Sequence, residues 1–347
     1  MDETPEIPGL RSITLPTKPD CPIKYTFTNL STSDEPPSET ILIVFVNGLG
    51  LPQVSWQPTL QLLQADLVAS PPLLSSPTNS NSNYAITAAT YDRYGQGLSQ
   101  PLHGAKPRPH DILDAVADLS AFLTSLKSLH LPDSHHKPPT RLFLVSHSLG
   151  APLSRLFAQH HPGTLAALLI LDSNMANNDF VSLFPDPDAP GSDFDPQRDL
   201  PADTTLDQLR AARDFARSMF HPAAPNAENL DRRTLPSLLP RSDGPVLIGD
   251  GGGKEKGRLI LRVMGHDPQT FADESLKVWP RGLTERYVQP AWDEYNEGLL
   301  SIAGGDPAAD GRKVVIAPHS GHFIQKNNPR FVADQVIEMV KMLCSGP

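Results

Sequence analysis

The sequence predicts an α/β fold with a mostly parallel central sheet, and two features of the pattern support this prediction. Continuous apolar runs occur at 41–46, 142–145 and 165–171, and such runs are typical of strands buried on both faces of a parallel sheet. Segments with apolar residues at helical spacing lie between these runs, for example at 110–129. Because strands alternate with helices along the chain, we expect helices on both faces of the sheet.

The other elements are predicted in the same way. Residues 1–40 are polar and rich in proline, and one edge strand is expected there, at 23–27. Residues 69–83 are low in complexity, and we expect a surface loop without a chemical role. The remaining patterns predict strands at 84–91, 259–263 and 313–317, and helices at 56–67, 149–161, 205–220, 284–302 and 328–343.

Residues 174–256 interrupt this alternation, because they carry many prolines and acidic residues and scattered phenylalanines. We interpret this segment as a cap or lid laid over one edge of the sheet, and a separate second domain is the alternative. The chain then divides into an N-terminal extension at 1–40, a core at 41–173 and 257–347, and the cap. Three aromatic residues of the cap either line an apolar substrate pocket or fix the cap to the sheet: Phe180, Phe184 and Phe194.

The composition excludes several classes of partner. The 347 residues carry a net charge of −10 and contain no block of Lys and Arg, so we expect no nucleic-acid partner. No apolar run is long enough to span a membrane, and the first residues lack the apolar stretch of a secretory signal. The two cysteines, Cys21 and Cys344, indicate no disulfide framework. We therefore expect a cytoplasmic protein, and the sequence leaves its oligomeric state open.

No metal or cofactor is indicated by the sequence. His135 and His136 resemble a metal-binding pair, but the only carboxylate close to them is Asp133, which leaves too few ligands. The glycine-rich run at 249–253 lacks the Lys-Ser/Thr and helix pattern of a phosphate loop. We expect a small molecule as the substrate.

The strand at 141–145 leads into Ser146-His147-Ser148-Leu149-Gly150, and a helical pattern follows. This is close to the Gly-x-Ser-x-Gly nucleophile elbow, with Ser146 in place of the first glycine. A serine on a sharp strand-to-helix turn stands clear of the backbone, and the new helix directs its first N–H groups towards the group that the serine attacks. Ser148 is therefore the predicted nucleophile.

A serine nucleophile needs a base, and the base needs an orienting acid. The predicted base is His322, which lies after Gly321 in the loop that follows the last strand, and His319 is its local rival. The predicted acid is Asp267, because it directly follows the strand at 259–263 and lies between serine and histidine in the sequence. Asp172, at the end of the preceding strand, is the main alternative, and Asp273 and Glu274 are further rivals.

The oxyanion of the tetrahedral intermediate needs two backbone donors. The N–H of Leu149, directly after the nucleophile, is one predicted donor. The other is the N–H of Leu49 in the turn Asn47-Gly48-Leu49-Gly50, where glycines permit a close approach to the substrate. Arg93, in the glycine-rich turn at 92–99, is expected to anchor the structure rather than to contact substrate.

The chain resembles the capped Ser-His-Asp enzymes of the α/β-hydrolase fold over residues 40–343. The resemblance rests on four motifs in their characteristic order: Asn-Gly-Leu-Gly at 47–50, Asp-Arg-Tyr-Gly-Gln-Gly-Leu-Ser at 92–99, the elbow at 146–150, and Ser-Gly-His-Phe at 320–323. It implies a hydrolase with a cap after the sixth strand. Asn47 departs from the histidine usual in the family, and Ser148 disfavours a likeness to the members that use an aspartate nucleophile.

These residues predict a serine hydrolase that cleaves an ester or lactone of a small, fairly apolar molecule through an acyl-enzyme. The same triad also serves carbon–carbon bond hydrolysis, thioester cleavage and acyl transfer, and the fold does not separate these reactions. A catalytically silent protein that binds a small ligand is the alternative from another class.

Overall fold

The computed structural model describes residues 7–31, 37–69, 84–131, 139–251 and 257–345, and within them an eight-stranded sheet forms the centre. Its strand order is β1-β2-β4-β3-β6-β7-β9-β10. The strands of this sheet are β1 (Leu10–Thr14), β2 (Pro22–Asn29), β3 (Glu39–Val46), β4 (Tyr84–Tyr91), β6 (Thr140–His147), β7 (Leu165–Leu171), β9 (Ile260–Gly265) and β10 (Val314–Ile316). A separate parallel pair joins β5 (His110–Asp111) to β8 (Leu230–Asp231).

The sheet is parallel from β4 to β10 and antiparallel at β1 and β2. Strands β3, β6 and β7 occupy the middle, and their side chains are almost all buried because helices cover both faces. The carboxyl ends of these parallel strands meet at one edge, where open α/β sheets place their functional sites.

Helices cover the two faces of the sheet. The helices are α1 (Gln57–Ala69), α2 (Ile112–His130), α3 (Gly150–His160), α4 (Pro196–Asp199), α5 (Leu206–Met219), α6 (Leu235–Leu238), α7 (Pro268–Ser275), α8 (Arg281–Leu283), α9 (Gln289–Leu299), α10 (Ile324–Asn327) and α11 (Pro329–Cys344). Within the described ranges, no helix is both long and apolar enough to cross a membrane.

Two apolar clusters result, one on each face. Alternate residues of β3 enter different clusters, with Leu42 and Val44 in the first and Ile43 and Phe45 in the second. Helices α2 and α3 contribute to the first cluster, and α1 and α11 to the second. The clusters also contain one buried free cysteine each: Cys21 in the first and Cys344 in the second.

The predicted α/β architecture, with a mostly parallel central sheet and helices on both faces, is confirmed. Strands were predicted at 84–91 and 165–171, and these are the bounds of β4 and β7. The single helix predicted at 284–302 is instead a π-helical turn at Thr284–Val288, the α-helix α9 and a 3-10 turn at Leu300–Ala303. The loop predicted at 69–83 lies outside the described residues, apart from residue 69. The pair His135 and His136 also lies outside them.

Several short or exposed elements were not predicted, and β1 and α7 are two of them. Strand β1 is mostly exposed and pairs only with β2, so its sequence lacks the apolar run that marks the inner strands. Helix α7 is only eight residues long, and it begins at Pro268 with Asp267 as its N-cap. The predicted division into core and cap remains a prediction. Within 174–251 the structure has the 14-residue helix α5, the four-residue helices α4 and α6, the two-residue strand β8 and long irregular connections.

Candidate active site

Ser148 lies at the sharp turn between β6 and α3. Its φ is +51°, in the left-handed region that L-residues rarely adopt, and its N–H donates to the carbonyl of Leu171. Helix α3 begins so close to the neighbouring strand β3 that a Cβ on Gly150 would collide with the carbonyl oxygen of Val46. Ser146 is tolerated in place of glycine because its hydroxyl is buried against that of Ser154, at 2.7 Å. The local geometry is that of a nucleophile elbow.

Three side chains from three loops form a hydrogen-bonded chain at this turn. The Oγ of Ser148 lies 3.1 Å from Nε2 of His322, and Nδ1 of His322 lies 2.6 Å from Oδ2 of Asp172. Since a carboxylate only accepts, Nδ1 carries the proton and donates it, which leaves Nε2 free to accept from the serine hydroxyl. Ser148 and His322 therefore lie where the sequence places them.

The structure corrects the expectation for Asp267. Its carboxylate accepts from the N–H of Thr270 and caps α7, while its own N–H donates to the carbonyl of Ser320. Both ring nitrogens of His322 are engaged elsewhere, and Asp172, the alternative, occupies the position beside Nδ1. The reason is the sheet order: β7 lies directly beside β6, so its carboxyl end reaches the serine turn before that of β9 does.

Asp172 is fully buried and accepts from two histidines. His266 approaches with its Nδ1 at 2.8 Å from Oδ1 and 3.0 Å from Oδ2, and its backbone N–H also faces Oδ1. Burial would raise the pKa of Asp172, but the charges and hydrogen bonds of His266 and His322 outweigh it and hold that pKa below its usual range. Asp172 is therefore a carboxylate throughout the neutral range.

The other predicted rivals take no part in the hydrogen-bonded chain from Ser148 to Asp172. His319 is exposed, and its φ is +53°. Asp273 pairs with Arg281 on the surface. Glu274 packs against the loop of His322, since a Cβ on Gly321 would collide with the carboxylate of Glu274.

His147 lies behind the serine turn and braces the loop of His322. Its Nε2–H donates to the backbone carbonyl of His322 at 2.8 Å, and a Cβ on Gly48 would lie 2.7 Å from its Nδ1. Burial, followed by the charge of His322, lowers the pKa of His147 to about 3. The ring is therefore neutral, and it fills the space between the turn at 47–50 and the loop of His322.

The turn at 47–50 approaches Ser148 closely. A Cβ on Gly48 would lie 3.0 Å from the Cβ of Ser148. The carbonyl of Gly48 accepts from Arg93 at 3.0 Å and from Gln96 at 2.9 Å. In a planar trans peptide the N–H points opposite to the preceding carbonyl, so the N–H of Leu49 points away from these two side chains. Leu149 begins the first turn of α3, where backbone N–H groups have no acceptor within the helix.

A buried network holds this turn. Glu228 lies in the irregular segment 174–251 (the inserted segment). It accepts from the N–H of Gly50 at 2.7 Å and pairs with Arg93 at 3.0 Å. Gln96 also donates to Glu228, at 2.8 Å. Asn47 donates to Gln96 and to the carbonyl of Tyr91, so the residue that departs from the family pattern is built into the same network. Arg93 is thus a structural anchor, as expected.

Aromatic side chains border His322. The ring centroid of Trp292 lies 5.4 Å from the ring centroid of His322, and the phenyl centroid of Phe323 lies 5.2 Å from it. Phe180 packs edge-to-face on Trp292, whereas Phe184 packs on Trp279 further away. Of the three predicted aromatic residues, Phe180 contacts Trp292, which in turn borders His322. Among the described residues, no group of three or more His, Cys, Asp or Glu is arranged to hold a metal ion.

A comparison with protein families decides the relationship. The model of the family described as "Alpha/beta hydrolase family" matches residues 43–335, which is most of the chain. The chain belongs to the α/β hydrolase family. The matched range contains the elbow, the turn at 47–50 and His322.

Solved structures of α/β hydrolases share this fold. The peroxisomal α/β-hydrolase Lpx1 from Saccharomyces cerevisiae is similar with a TM-score of 0.51, at 13% identity over 97% of this chain and 89% of that one. A thermophilic esterase from Thermogutta terrifontis has a TM-score of 0.45, at 16% identity over 96% of this chain and 98% of that one. The epoxide hydrolase VrEH1 from Vigna radiata has a TM-score of 0.46, at 15% identity over 97% and 99%. A comparison with curated protein sequences finds no match.

Several residues of the site were not predicted from the sequence, and His266 and Glu228 are two of them. His266 lies at the end of β9, directly before Asp267, the residue that was predicted as the acid. Its only signal is a position at the end of a buried strand. Glu228 lies in an irregular segment with no periodic pattern, and nothing local in the sequence distinguishes it from the other acidic residues there.

Proposed function

We propose that the protein is a serine hydrolase that cleaves an ester or lactone of a small, fairly apolar molecule through an acyl-enzyme on Ser148. The observation that carries the proposal is the chain of contacts from Ser148 through His322 to Asp172, at 3.1 Å and 2.6 Å. Nucleophile, base and orienting acid in hydrogen-bond contact are the arrangement that activates a serine hydroxyl. The family assignment supports a hydrolase as the general class.

Acylation begins when Nε2 of His322 accepts the proton of the Ser148 hydroxyl and Oγ attacks the carbonyl carbon of the substrate. The N–H groups of Leu49 and Leu149 donate to the resulting oxyanion. The tetrahedral intermediate then collapses, and His322 returns the proton to the departing alkoxide oxygen. Asp172 keeps the imidazole in the correct tautomer and stabilises its protonated form.

Deacylation repeats these steps with water. His322 removes a proton from the water molecule, the hydroxide attacks the acyl carbon, and the proton passes to Oγ of Ser148 as the acid leaves. A lactone follows the same course, except that its alcohol stays attached to the acyl group. A serine nucleophile at this position argues against epoxide hydrolysis through an aspartyl ester, although an epoxide hydrolase is among the structural neighbours.

The surroundings of His322 support an apolar substrate. The aromatic rings of Trp292 and Phe323 border the imidazole, and Phe180 lies behind Trp292. Apolar and aromatic walls with few polar groups are typical of pockets for small molecules. We propose that the segment 174–256 acts as a cap that contributes to this wall through Phe180.

The test is labelling with a fluorophosphonate probe, which reacts with activated serines. We expect the wild-type protein to be labelled at Ser148, and Ser148→Ala and His322→Ala to remain unlabelled because they lack the nucleophile or its base. Ser146→Ala and His319→Asn are matched controls. They change a serine and a histidine that are close in sequence to Ser148 and His322 but take no part in the hydrogen bonds from Ser148 to Asp172. Both controls should be labelled like the wild type.

The same preparations are then assayed with short-chain aryl esters, lactones and thioesters. Hydrolysis of esters or lactones in preference to thioesters supports the proposed bond type. A folded wild-type protein that is neither labelled nor active on an aryl ester would contradict the proposal and favour a ligand-binding protein.

A further inference from the structure

His266 is a second histidine on the carboxylate of Asp172, and the reaction steps above do not use it. His266 directly follows β9, and only 1% of its surface is exposed. Its Nδ1 lies 2.8 Å from Oδ1 of Asp172, and its Nε2 lies 2.9 Å from Oε1 of Gln289. Both ring nitrogens therefore face oxygen atoms.

The amide of Gln289 is oriented by its other neighbour. Its Nε2 donates to Oδ1 of Asp293 at 2.9 Å, and a carboxylate oxygen only accepts. The oxygen of the amide therefore faces His266. A neutral imidazole has one N–H, but two acceptors are satisfied only when both nitrogens carry a proton. The arrangement thus selects the imidazolium form of His266.

The groups packed around His266 favour the same form. The charged or titratable groups that face it are Asp172 at the end of β7, Asp293 on α9 and His322 beyond Asp172. Phe271 stacks on the ring at 4.0 Å, and Trp292 packs edge-on at 5.3 Å. Burial lowers the pKa of His266, but the charge and hydrogen bond of Asp172, the bond to Gln289 and the charge of Asp293 together raise it above its ordinary value.

We propose that His266 is a positioning residue, held as an imidazolium between Asp172 and Gln289, which shares Asp172 with His322 and so sets the lower pH limit at which His322 acts as a base. The proposal rests on the proposed function of Ser148 and His322. The positive charge of His266 offsets part of the negative charge of Asp172. Less of that charge then stabilises protonated His322, and the base stays available at lower pH. His266 keeps both protons throughout, and only His322 exchanges a proton with Ser148, the leaving group and water.

Two variants test this inference through the pH dependence of fluorophosphonate labelling. His266→Asn keeps an N–H donor near the position of Nδ1 but removes the charge. We expect the acidic limb of the labelling rate to move to higher pH by roughly one unit, with the high-pH rate changed only a few-fold. Gln289→Met keeps His266 and its bond to Asp172 but removes the acceptor of Nε2, so a smaller shift in the same direction is expected.

A purely structural role gives a different result. It would lower the labelling rate at every pH, or the melting temperature, without moving the acidic limb. Such a result in both variants overturns the inference. Since Gln289 is only half-buried, Gln289→Met also provides the test if His266→Asn fails to fold.

Nuclear magnetic resonance tests His266 independently of the reaction. In the Ser148→Ala variant with ¹⁵N-labelled histidine, we expect two protonated ring nitrogens for His266 at pH 7, assigned by their loss in His266→Asn. A single protonated nitrogen at pH 7 overturns the inference, whether or not the wild type reacts with the probe. Failure of the wild type to react with the probe contradicts the proposed function instead, and the spectrum still reports the state of His266.

Discussion

At the scale of single residues, Asp172 has the most demanding position in the site. Its φ is +44°, its side chain is fully buried, and its two oxygens serve His322 and His266. Aspartate tolerates the left-handed backbone region better than most residues. A buried carboxylate without partners would be costly, and here both imidazoles compensate it.

We expect Asp172→Asn to lower kcat on an aryl ester by about 10⁴-fold, because an asparagine amide no longer fixes the tautomer of His322 or stabilises its protonated form. The free energy of unfolding should fall by about 3–5 kcal/mol, because the substitution breaks a buried charged contact. Steady-state kinetics and urea unfolding measure the two effects.

Asp267→Asn is the matched control for that substitution. Asparagine caps a helix about as well as aspartate does, so α7 should keep its stability and kcat should stay within about threefold of the wild type. Equal losses of kcat in the two variants would contradict the assignment of Asp172 as the orienting acid.

The residues with local sequence signals were the ones that could be placed in advance. Ser148 follows an apolar strand inside a near-consensus turn, and His322 follows a glycine in the last loop, so both were predictable. The choice between Asp172 and Asp267 depends on which strand end lies closer to the serine turn. That distance follows from the order of strands in the sheet, and no short motif encodes it.

At the scale of elements, the turn after β3 is held in place by a residue from the inserted segment. Glu228 is buried, accepts from the N–H of Gly50 and pairs with Arg93, and Arg93 in turn binds the carbonyl of Gly48. The orientation of the Leu49 N–H therefore depends on how the inserted segment is seated.

Glu228→Gln tests this dependence. It leaves the guanidinium of Arg93 buried without its charged partner, and we expect the free energy of unfolding to fall by about 3–5 kcal/mol. We also expect kcat to fall by at least about tenfold, but by less than the 10²–10³-fold that the loss of a whole oxyanion donor causes. KM should change little, because the oxyanion forms only during the reaction.

A control with an exposed ion pair of the same segment separates the two effects. Asp188 pairs with Arg210 on the surface, and Asp188→Asn should change the free energy of unfolding by less than about 1 kcal/mol and leave kcat unaltered. If Glu228→Gln loses stability but keeps full kcat, Glu228 supports the fold without orienting the turn.

The elements also differ in how well the sequence predicts them. The central strand β7 was predicted with its observed ends, because burial on both faces requires a continuous apolar run. The edge strand β1 and the short pair of β5 and β8 carry no such requirement, and the sequence gives no signal for them.

At the scale of the whole molecule, the inserted segment and the first face of the sheet share one apolar cluster. Leu209 and Ala212 of α5 belong to it, and so do Leu153 of α3 and Leu119 of α2. This continuity favours a segment that folds together with the core over a separate second domain. The second cluster, on the opposite face, contains α1 and α11 and none of α5.

The two cysteines give each face of the sheet its own chemical reporter. Burial raises the pKa of Cys21 to about 11 and that of Cys344 to about 12, so neither thiol ionises readily in the folded protein. A thiol reagent reaches each cysteine only when the layer of helices and strands that forms its apolar cluster opens. We expect slow alkylation of both in the native state, and mass spectrometry of the two peptides gives separate opening rates. Equal rates mean that the two layers open as one unit, whereas unequal rates identify the layer that opens first.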